Sequence, residues 1–177
     1  MVEYPTLLDE LAGHNLQKLG VDEGDITELG NLRLTWKARG EKTGFQFGVF
    51  TLELPPGSSI PLHKHPFAEF LYVLEGTISY GRVNQEGDLE WLSCHAGESI
   101  LVPANAPHAT HNQSQQPAKM LSVSNFHHEF ILTTGGRFVQ KDDPLPVQQD
   151  PKDLQRFSEV ARQHQAYWVQ LGSENGQ

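Results

Sequence analysis

Four residues that can ligate a metal stand at spacings that could bring their side chains together. His63 and His65 are separated by one residue, and in a β-strand this spacing sends both imidazoles to the same face. Glu69 lies an even number of residues after both histidines, at the start of the next apolar run, where it could add a carboxylate oxygen on the same face. His108 follows residues 103–107, which begin and end with proline and would turn the chain back toward the same cavity.

This set of side chains predicts one divalent transition-metal ion. Three imidazoles and one carboxylate suit Fe, Mn, Ni, Co, Cu or Zn and are a poor match for Ca or Mg. If the ion prefers six ligands, four protein ligands leave two positions for water, oxygen or substrate. Glu69 is also the ligand that could accept a proton, and it is therefore our predicted catalytic residue.

The segments that would position these residues are short strands. From about Leu32 to Phe130, runs rich in Val, Ile, Leu, Phe and Thr are broken by Gly, Pro, Asn and Asp. About nine such strands without intervening helices predict an all-β fold, an antiparallel sandwich or barrel. The alternation of apolar residues changes phase at Val49 and Phe50, which predicts a β-bulge there.

Helical patterns flank the strands. Leucines near helical spacing predict a short N-terminal helix over residues 6–19. Apolar residues at three- and four-residue spacing predict an amphipathic helix over residues 151–171, packed on the barrel, with Asp150 as its cap and Pro151 at its first position. We therefore divide the chain into an N-terminal extension (1–31), a barrel (32–138), a linker (139–150) and a C-terminal helix with its tail (151–177).

Composition narrows the classes of partner. The chain has 22 acidic and 13 basic residues and a formal net charge of −9, which argues against nucleic acid as a partner. The first residues lack the pattern of a secretory signal, no apolar run approaches a membrane span, and Cys94 has no second cysteine to pair with. We expect a cytoplasmic protein that binds a small molecule and no membrane, and the flanking helices could form a homodimer interface.

Two stretches resemble the sequence motifs of the cupin superfamily. Residues 57–76 resemble the first motif at every defining position, and residues 97–112 resemble the second. One departure is Asn105, which stands where the family usually has glycine. Asparagine is the non-glycine residue most tolerant of a left-handed turn, so the hairpin is still expected.

The resemblance implies a single jelly-roll barrel with the metal at its mouth. By position, the ligands would be His63, His65, Glu69 and His108, and Asn112 would have a structural role. Some members of the family keep the fold and lose the metal, but those usually lose one or more ligands. Here all four are intact.

Three functions remain open at this point. Residues 45–57, residues 69–76 and the helix-bearing tail resemble small cupins of the quercetin dioxygenase type, which implies an oxygen-dependent dioxygenase. The alternatives are a redox-neutral isomerase, epimerase or lyase, and a non-enzymatic cupin that binds a small ligand. Few Arg or Lys residues in the strands could face the cavity, which favours an apolar or aromatic oxygenated substrate and hence the dioxygenase.

The remaining histidines are separate cases. His111 differs in parity from His108 and should face away from the cavity. His127 and His128 follow the last predicted strand, where either one could reach the barrel rim and contact the substrate or a ligand.

Overall fold

The computed structural model describes residues 15–144 and 150–171, and in this part of the chain strands dominate. The strands are β1 (Ile26–Leu29), β2 (Leu32–Ala38), β3 (Gly48–Leu54), β4 (Ser59–Lys64), β5 (Glu69–Glu75), β6 (Thr77–Val83), β7 (Leu89–His95), β8 (Ser99–Val102), β9 (His108–His111), β10 (Ala118–Ser124), β11 (Arg137–Val139) and β12 (Tyr167–Trp168). The helices are α1 (Phe126–Gly135) and α2 (Pro151–Gln163), with a 3-10 turn at Gly40–Lys42.

These strands form two antiparallel sheets. The larger sheet has the order β11-β1-β2-β3-β10-β5-β8, and the smaller sheet has the order β12-β4-β9-β6-β7. Strands distant in sequence are neighbours in both sheets, as β3 and β10 are in one and β4 and β9 in the other. This pairing confirms the predicted all-β jelly-roll barrel.

The core lies between the inner faces of the two sheets, as strand alternation requires. β10 shows the pattern clearly, because every second residue from Ala118 to Ser124 is buried. Met120 and Ser122 therefore point to the same interior face. The apolar part of that interior includes Leu34, Trp36, Phe50, Leu52, Leu54, Leu71, Val73, Ile78, Tyr80, Cys94 and Val102.

The predicted bulge lies at the expected level of the sheet but in the neighbouring strand. Trp36 pairs with Phe50, whereas the next pair joins Ala38 to Val49, so the extra residue is Lys37 of β2. A bulge accounts for a change of phase by placing two residues opposite one.

Two elements near the barrel were not indicated by the sequence pattern. The first is β1, which lies in the predicted N-terminal extension (1–31) and pairs with β2 of the barrel. The second is α1, which begins inside the region from Leu32 to Phe130 that we predict to contain strands only. Asn125 caps this helix by accepting a hydrogen bond from the backbone N–H of His128, so the strands end at Ser124. The division of the chain into four segments stays a prediction.

The two predicted flanking helices have different outcomes. The N-terminal helix falls mostly on residues 6–14, which lie outside the described residues, and residues 15–19 are not helical. The C-terminal helix α2 begins at Pro151 with Asp150 as its cap, as predicted, but ends at Gln163. It packs against α1 through Ala161, which lies in one apolar cluster with Ile131.

Neither α1 nor α2, the helices of the described residues, is long and apolar enough to cross a membrane.

Asn112 joins the end of β9 to the neighbouring loops. Its fully buried side-chain amide donates to the carbonyls of Leu54 and Gln116, each at 2.8 Å, and its Oδ1 accepts from Ser114. This is the structural role that the resemblance implied for Asn112.

We expect Asn112→Ala to lower the free energy of unfolding by about 2–4 kcal/mol, because it removes the buried amide donor to the Leu54 carbonyl and the acceptor of the Ser114 N–H. Denaturant unfolding would measure the change. Asn84→Ala is the matched control, since Asn84 accepts one backbone hydrogen bond from Asp88 in an exposed turn. Equal losses in the two variants would contradict the assigned role.

Candidate metal centre

Three imidazoles converge where β4 and β9 pair. His63 lies near the end of β4, His65 follows that strand, and His108 is the first residue of β9, directly opposite His63. One ring nitrogen from each histidine lies within 4.8 Å of the other two. The structure therefore brings these three predicted residues into one group that could hold a metal ion.

Local features of the backbone produce this convergence. The register of β4 and β9 shifts by one residue between Ile60 and His63, at Pro61, which has no N–H for a ladder hydrogen bond. On the other side, Asn105 has a φ of 64° in the turn before His108, which is the left-handed conformation expected at a position that usually has glycine. The backbone N–H of Asn105 donates to the carbonyl of His65 at 2.7 Å, so the turn is tied to the first motif.

A backbone carbonyl fixes the orientation of each ring. The Nδ1 atoms of His63, His65 and His108 lie 2.9, 2.8 and 3.0 Å from the carbonyl oxygens of Pro61, Phe67 and Ala106. A carbonyl only accepts hydrogen bonds, so each Nδ1 must carry the proton. In the neutral ring, a proton on Nδ1 leaves Nε2 with a free lone pair, which is the form of histidine that binds a metal.

The chemistry of the group fits a transition metal. His65 is 3% exposed, and its Nε2 is buried without a hydrogen-bond partner; such an orphaned atom is costly unless a ligand satisfies it. Burial lowers the pKa of His63 to about 3, helped by nearby His108, and burial also lowers the pKa of His108. Both rings are therefore neutral near pH 7, as metal ligands must be.

Glu69 lies beside the histidine group as the first residue of β5. Its Oε1 accepts a hydrogen bond of 2.5 Å from the Ser122 hydroxyl of β10. Its Oε2 lies 3.5 Å from Nε2 of His65 and 3.9 Å from Nε2 of His108. Ser122 thus occupies one oxygen and leaves the other directed toward the atoms that would bind the ion.

The carboxyl of Glu69 is ionised despite its burial. Burial alone would raise its pKa, but His128, His65 and the hydrogen bond from Ser122 together hold the pKa below its ordinary value. A buried carboxylate is costly without a positively charged partner, which a divalent cation would supply.

Helix α1 brings a further imidazole to the site. Nδ1 of His128 lies 3.7 Å from Oε1 of Glu69, and its ring packs against Phe50 and Phe67 with centroids 5.8 and 5.2 Å apart. His127, by contrast, is exposed and faces His164. The sequence offered only the pair of histidines after the last strand as a signal, and it could not tell which of the two faces inward.

His111 lies away from the histidine group, as predicted from its odd spacing of three residues after His108. It is half-buried, and its ring lies against Trp91, with centroids 5.9 Å apart.

The histidines line a cavity of about 1250 Å³ that extends to α2. Its inner wall is largely apolar and includes Leu34, Phe50, Leu52, Phe67, Leu71, Met120, Ile131 and Leu132. The arginines on its border, Arg137, Arg156 and Arg162, are all exposed to solvent. The cavity thus combines a largely buried group of imidazoles and a carboxylate with apolar buried neighbours, and its exposed border is largely polar.

A short strand after α2 adds an aromatic wall that the sequence pattern did not reveal. β12 pairs with the edge of β4, with Trp168 opposite His63 and their ring centroids 5.9 Å apart. The indole N–H of Trp168 donates to the hydroxyl of Ser158 in α2 at 3.3 Å. The segment after α2 therefore returns to the histidine group.

The fold and the site together define a jelly-roll barrel with a histidine cluster suited to a transition metal. Residues 50–124 match the cupin domain family. Germin-like protein 3-8 of Oryza sativa subsp. japonica is 27% identical over 96 residues, which are 54% of this chain and 43% of that protein. The chain thus spans less than half the length of this relative.

Solved structures share the fold of this chain. The polyketide cyclase RemF from Streptomyces resistomycificus superposes with a TM-score of 0.54 and 20% identity, over 63% of this chain and 80% of that chain. An RmlC-like cupin from Shewanella frigidimarina gives a TM-score of 0.51 and 14% identity, over 63% and 91% of the two chains. The described fold is thus one that this chain shares with solved cupin structures.

Proposed function

We propose that His63, His65, Glu69 and His108 hold one divalent transition-metal ion, and that the protein is an oxygen-dependent dioxygenase acting on a small apolar or aromatic oxygenated compound. The observation that carries this proposal is the convergence of three Nε2 atoms beside an ionised carboxylate, in a cavity whose buried lining is largely apolar.

The donor set supports a transition metal rather than a hard cation, since imidazoles outnumber oxygen donors three to one. A bound ion would supply a Lewis-acid and redox centre. Backbone carbonyls would keep the three rings oriented, and Ser122 would keep Oε2 of Glu69 aimed at the ion.

The cavity wall supports the proposed class of substrate. Phe50, Phe67 and Trp168 offer aromatic surface near the histidines, and planar apolar compounds pack well on such surfaces. The cations at the border are exposed and partly neutralised; for example, Arg137 pairs with Glu28 at 2.6 Å. A phosphorylated or strongly acidic substrate would find no buried cation among the described cavity-lining residues.

The position of Glu69 supports its proposed role as the base. Its carboxylate is ionised, buried and held by Ser122, so it could accept the proton of a substrate hydroxyl without losing its position. A proton taken from the substrate leaves an oxygen anion, which binds a cationic centre better than the neutral hydroxyl does.

Oxygen consumption tests the proposed reaction. We expect the Fe, Mn, Ni or Cu form to consume oxygen in an oxygen electrode with a flavonol, catechol or diketone as substrate. Glu69→Gln should lower that rate about 100-fold or more, because the base is lost. His95→Ala is the control, since His95 is an exposed residue paired with Glu98. Metal-loaded protein that consumes no oxygen with any of these compounds would contradict the dioxygenase.

A redox-neutral reaction is the second candidate, supported by the closeness of Glu69 and His128. A carboxylate and an imidazole 3.7 Å apart could share the removal and return of a proton. Exchange of substrate hydrogen for deuterium in oxygen-free ²H₂O would favour this alternative. Saturable ligand binding with neither oxygen uptake nor exchange would favour a non-enzymatic binding cupin.

We also propose a cytoplasmic location, supported by the buried thiol of Cys94, which has no second cysteine to pair with.

We further propose that the protein could form a homodimer through its flanking helices. Analytical ultracentrifugation would test this oligomeric state.

A further inference from the structure

We infer that His128 forms a hydrogen bond with a second oxygen of the bound substrate, and so selects planar compounds with two neighbouring oxygens over compounds with one. This inference rests on the proposed metal site, which would take the first oxygen. The compounds that fit are catechols, flavonols and enolised diketones.

The position of His128 is fixed by its helix. Asn125 caps α1 by accepting from the backbone N–H of His128. The next residue, Glu129, is buried and holds the helix against the barrel, accepting from Arg39 Nε at 3.1 Å and from the Gly40 N–H at 2.6 Å. The imidazole is therefore held at the cavity by α1, without a hydrogen bond at its own Nδ1.

That Nδ1 is one of two buried side-chain nitrogens or oxygens without a hydrogen-bond partner among the described residues; the other is Nε2 of His65. The carboxylate oxygen of Glu69 at 3.7 Å is too distant for a hydrogen bond and is already bonded to Ser122. A buried, unpaired polar atom destabilises a fold unless a ligand or water satisfies it. At His65 the proposed metal meets this need, and at His128 a substrate atom would meet it.

The surroundings make this contact selective. The ring of His128 lies between Phe50 and Phe67 on an apolar wall, so a polar substrate atom on this wall would depend on the imidazole. The ring centroids of His128 and His65 are 5.6 Å apart, which lets one small molecule contact both the ion and His128. A site built to pair with a polar group discriminates strongly against an analogue that lacks it.

Ligand titration of the Co²⁺-loaded protein tests the inference, with catechol as the two-oxygen probe, phenol as the one-oxygen probe, and visible absorption of the cobalt as the readout. We expect His128→Leu to weaken catechol binding about tenfold to a hundredfold and to change phenol binding little. His128→Gln should restore most of the catechol affinity. His127→Leu is the matched control and should bind catechol like the original protein.

The outcomes separate this inference from the proposed function. If the original protein holds no Co²⁺, the proposed metal site fails. If it holds Co²⁺ but binds no catechol, or if His128→Leu binds catechol normally, the role of His128 is overturned and the metal site stands. Loss of Co²⁺ from the His128→Leu variant would also overturn the proposed role of His128, because it would show that His128 helps to hold the metal. Circular dichroism checks folding, and His128→Phe replaces the leucine variant if that variant unfolds.

Discussion

Protein purified without a histidine tag is expected to contain close to one transition-metal ion per chain, and the double variant His63→Ala/His108→Ala is expected to contain almost none. The physical reason is the loss of two of three converging Nε2 donors. His65 and Glu69 alone would bind the ion about a thousandfold or more weakly, since each lost ligand also frees the remaining ones to move. Elemental analysis by mass spectrometry gives the stoichiometry directly.

The control for this experiment is His95→Ala/His164→Ala, which also removes two histidines. His95 is exposed beside Glu98, and His164 lies at the end of α2 against Phe130. Neither belongs to the close group of ring nitrogens, so the metal content should be unchanged. If the wild-type protein is free of metal and takes up none on reconstitution, the proposed metal-dependent function is contradicted.

The second large effect is expected at Glu129, where Glu129→Ala should lower the free energy of unfolding by about 3–5 kcal/mol. Glu129 is 3% exposed and accepts hydrogen bonds from Arg39 and from the backbone N–H of Gly40. Without the Glu129 carboxylate, the partly buried guanidinium of Arg39 loses one ion pair and keeps the one with Asp25. The backbone N–H of Gly40 also loses its acceptor. For a chain of this length, the midpoint of thermal unfolding should fall by roughly 6–20 °C.

A double-variant cycle would show how much of this loss belongs to the pair. Arg39→Ala leaves the Glu129 carboxylate buried without its charge partner, so it should also destabilise strongly, and the double variant should lose less than the sum of the two. Glu98→Ala is the control, because that carboxylate bonds to His95 at an exposed turn. A loss at Glu129 no greater than at Glu98 would contradict the assigned role.

The effect at Glu129 bears on the metal centre, because the same helix carries His128. The imidazole has no hydrogen bond at Nδ1 that would hold it, so its place in the cavity depends on how α1 docks. Variants that loosen α1 are therefore expected to disturb the site before the barrel itself unfolds.

Much of the candidate site could be predicted because its residues are specified locally. The spacing of His63 and His65 follows the two-residue period of a strand, and the turn before His108 depends on the left-handed conformation that Asn105 tolerates. The cap of α2 at Asp150 is equally local, since its carboxylate bonds to a backbone N–H two residues later. The sequence by itself thus determined the barrel, the meeting of the three histidines and the start of the last helix.

Features of the site that depend on contacts between residues distant in sequence were decided by the tertiary structure alone. The apolar and polar residues of α1 gave no clear period, since the helix is buried partly through Glu129 and its contacts some 90 residues away. Whether His127 or His128 enters the cavity follows from how that helix docks, and the place of Trp168 follows from the pairing of β12 with β4. Spacing along the chain specifies which side chains share a face, but only packing between elements specifies what that face meets.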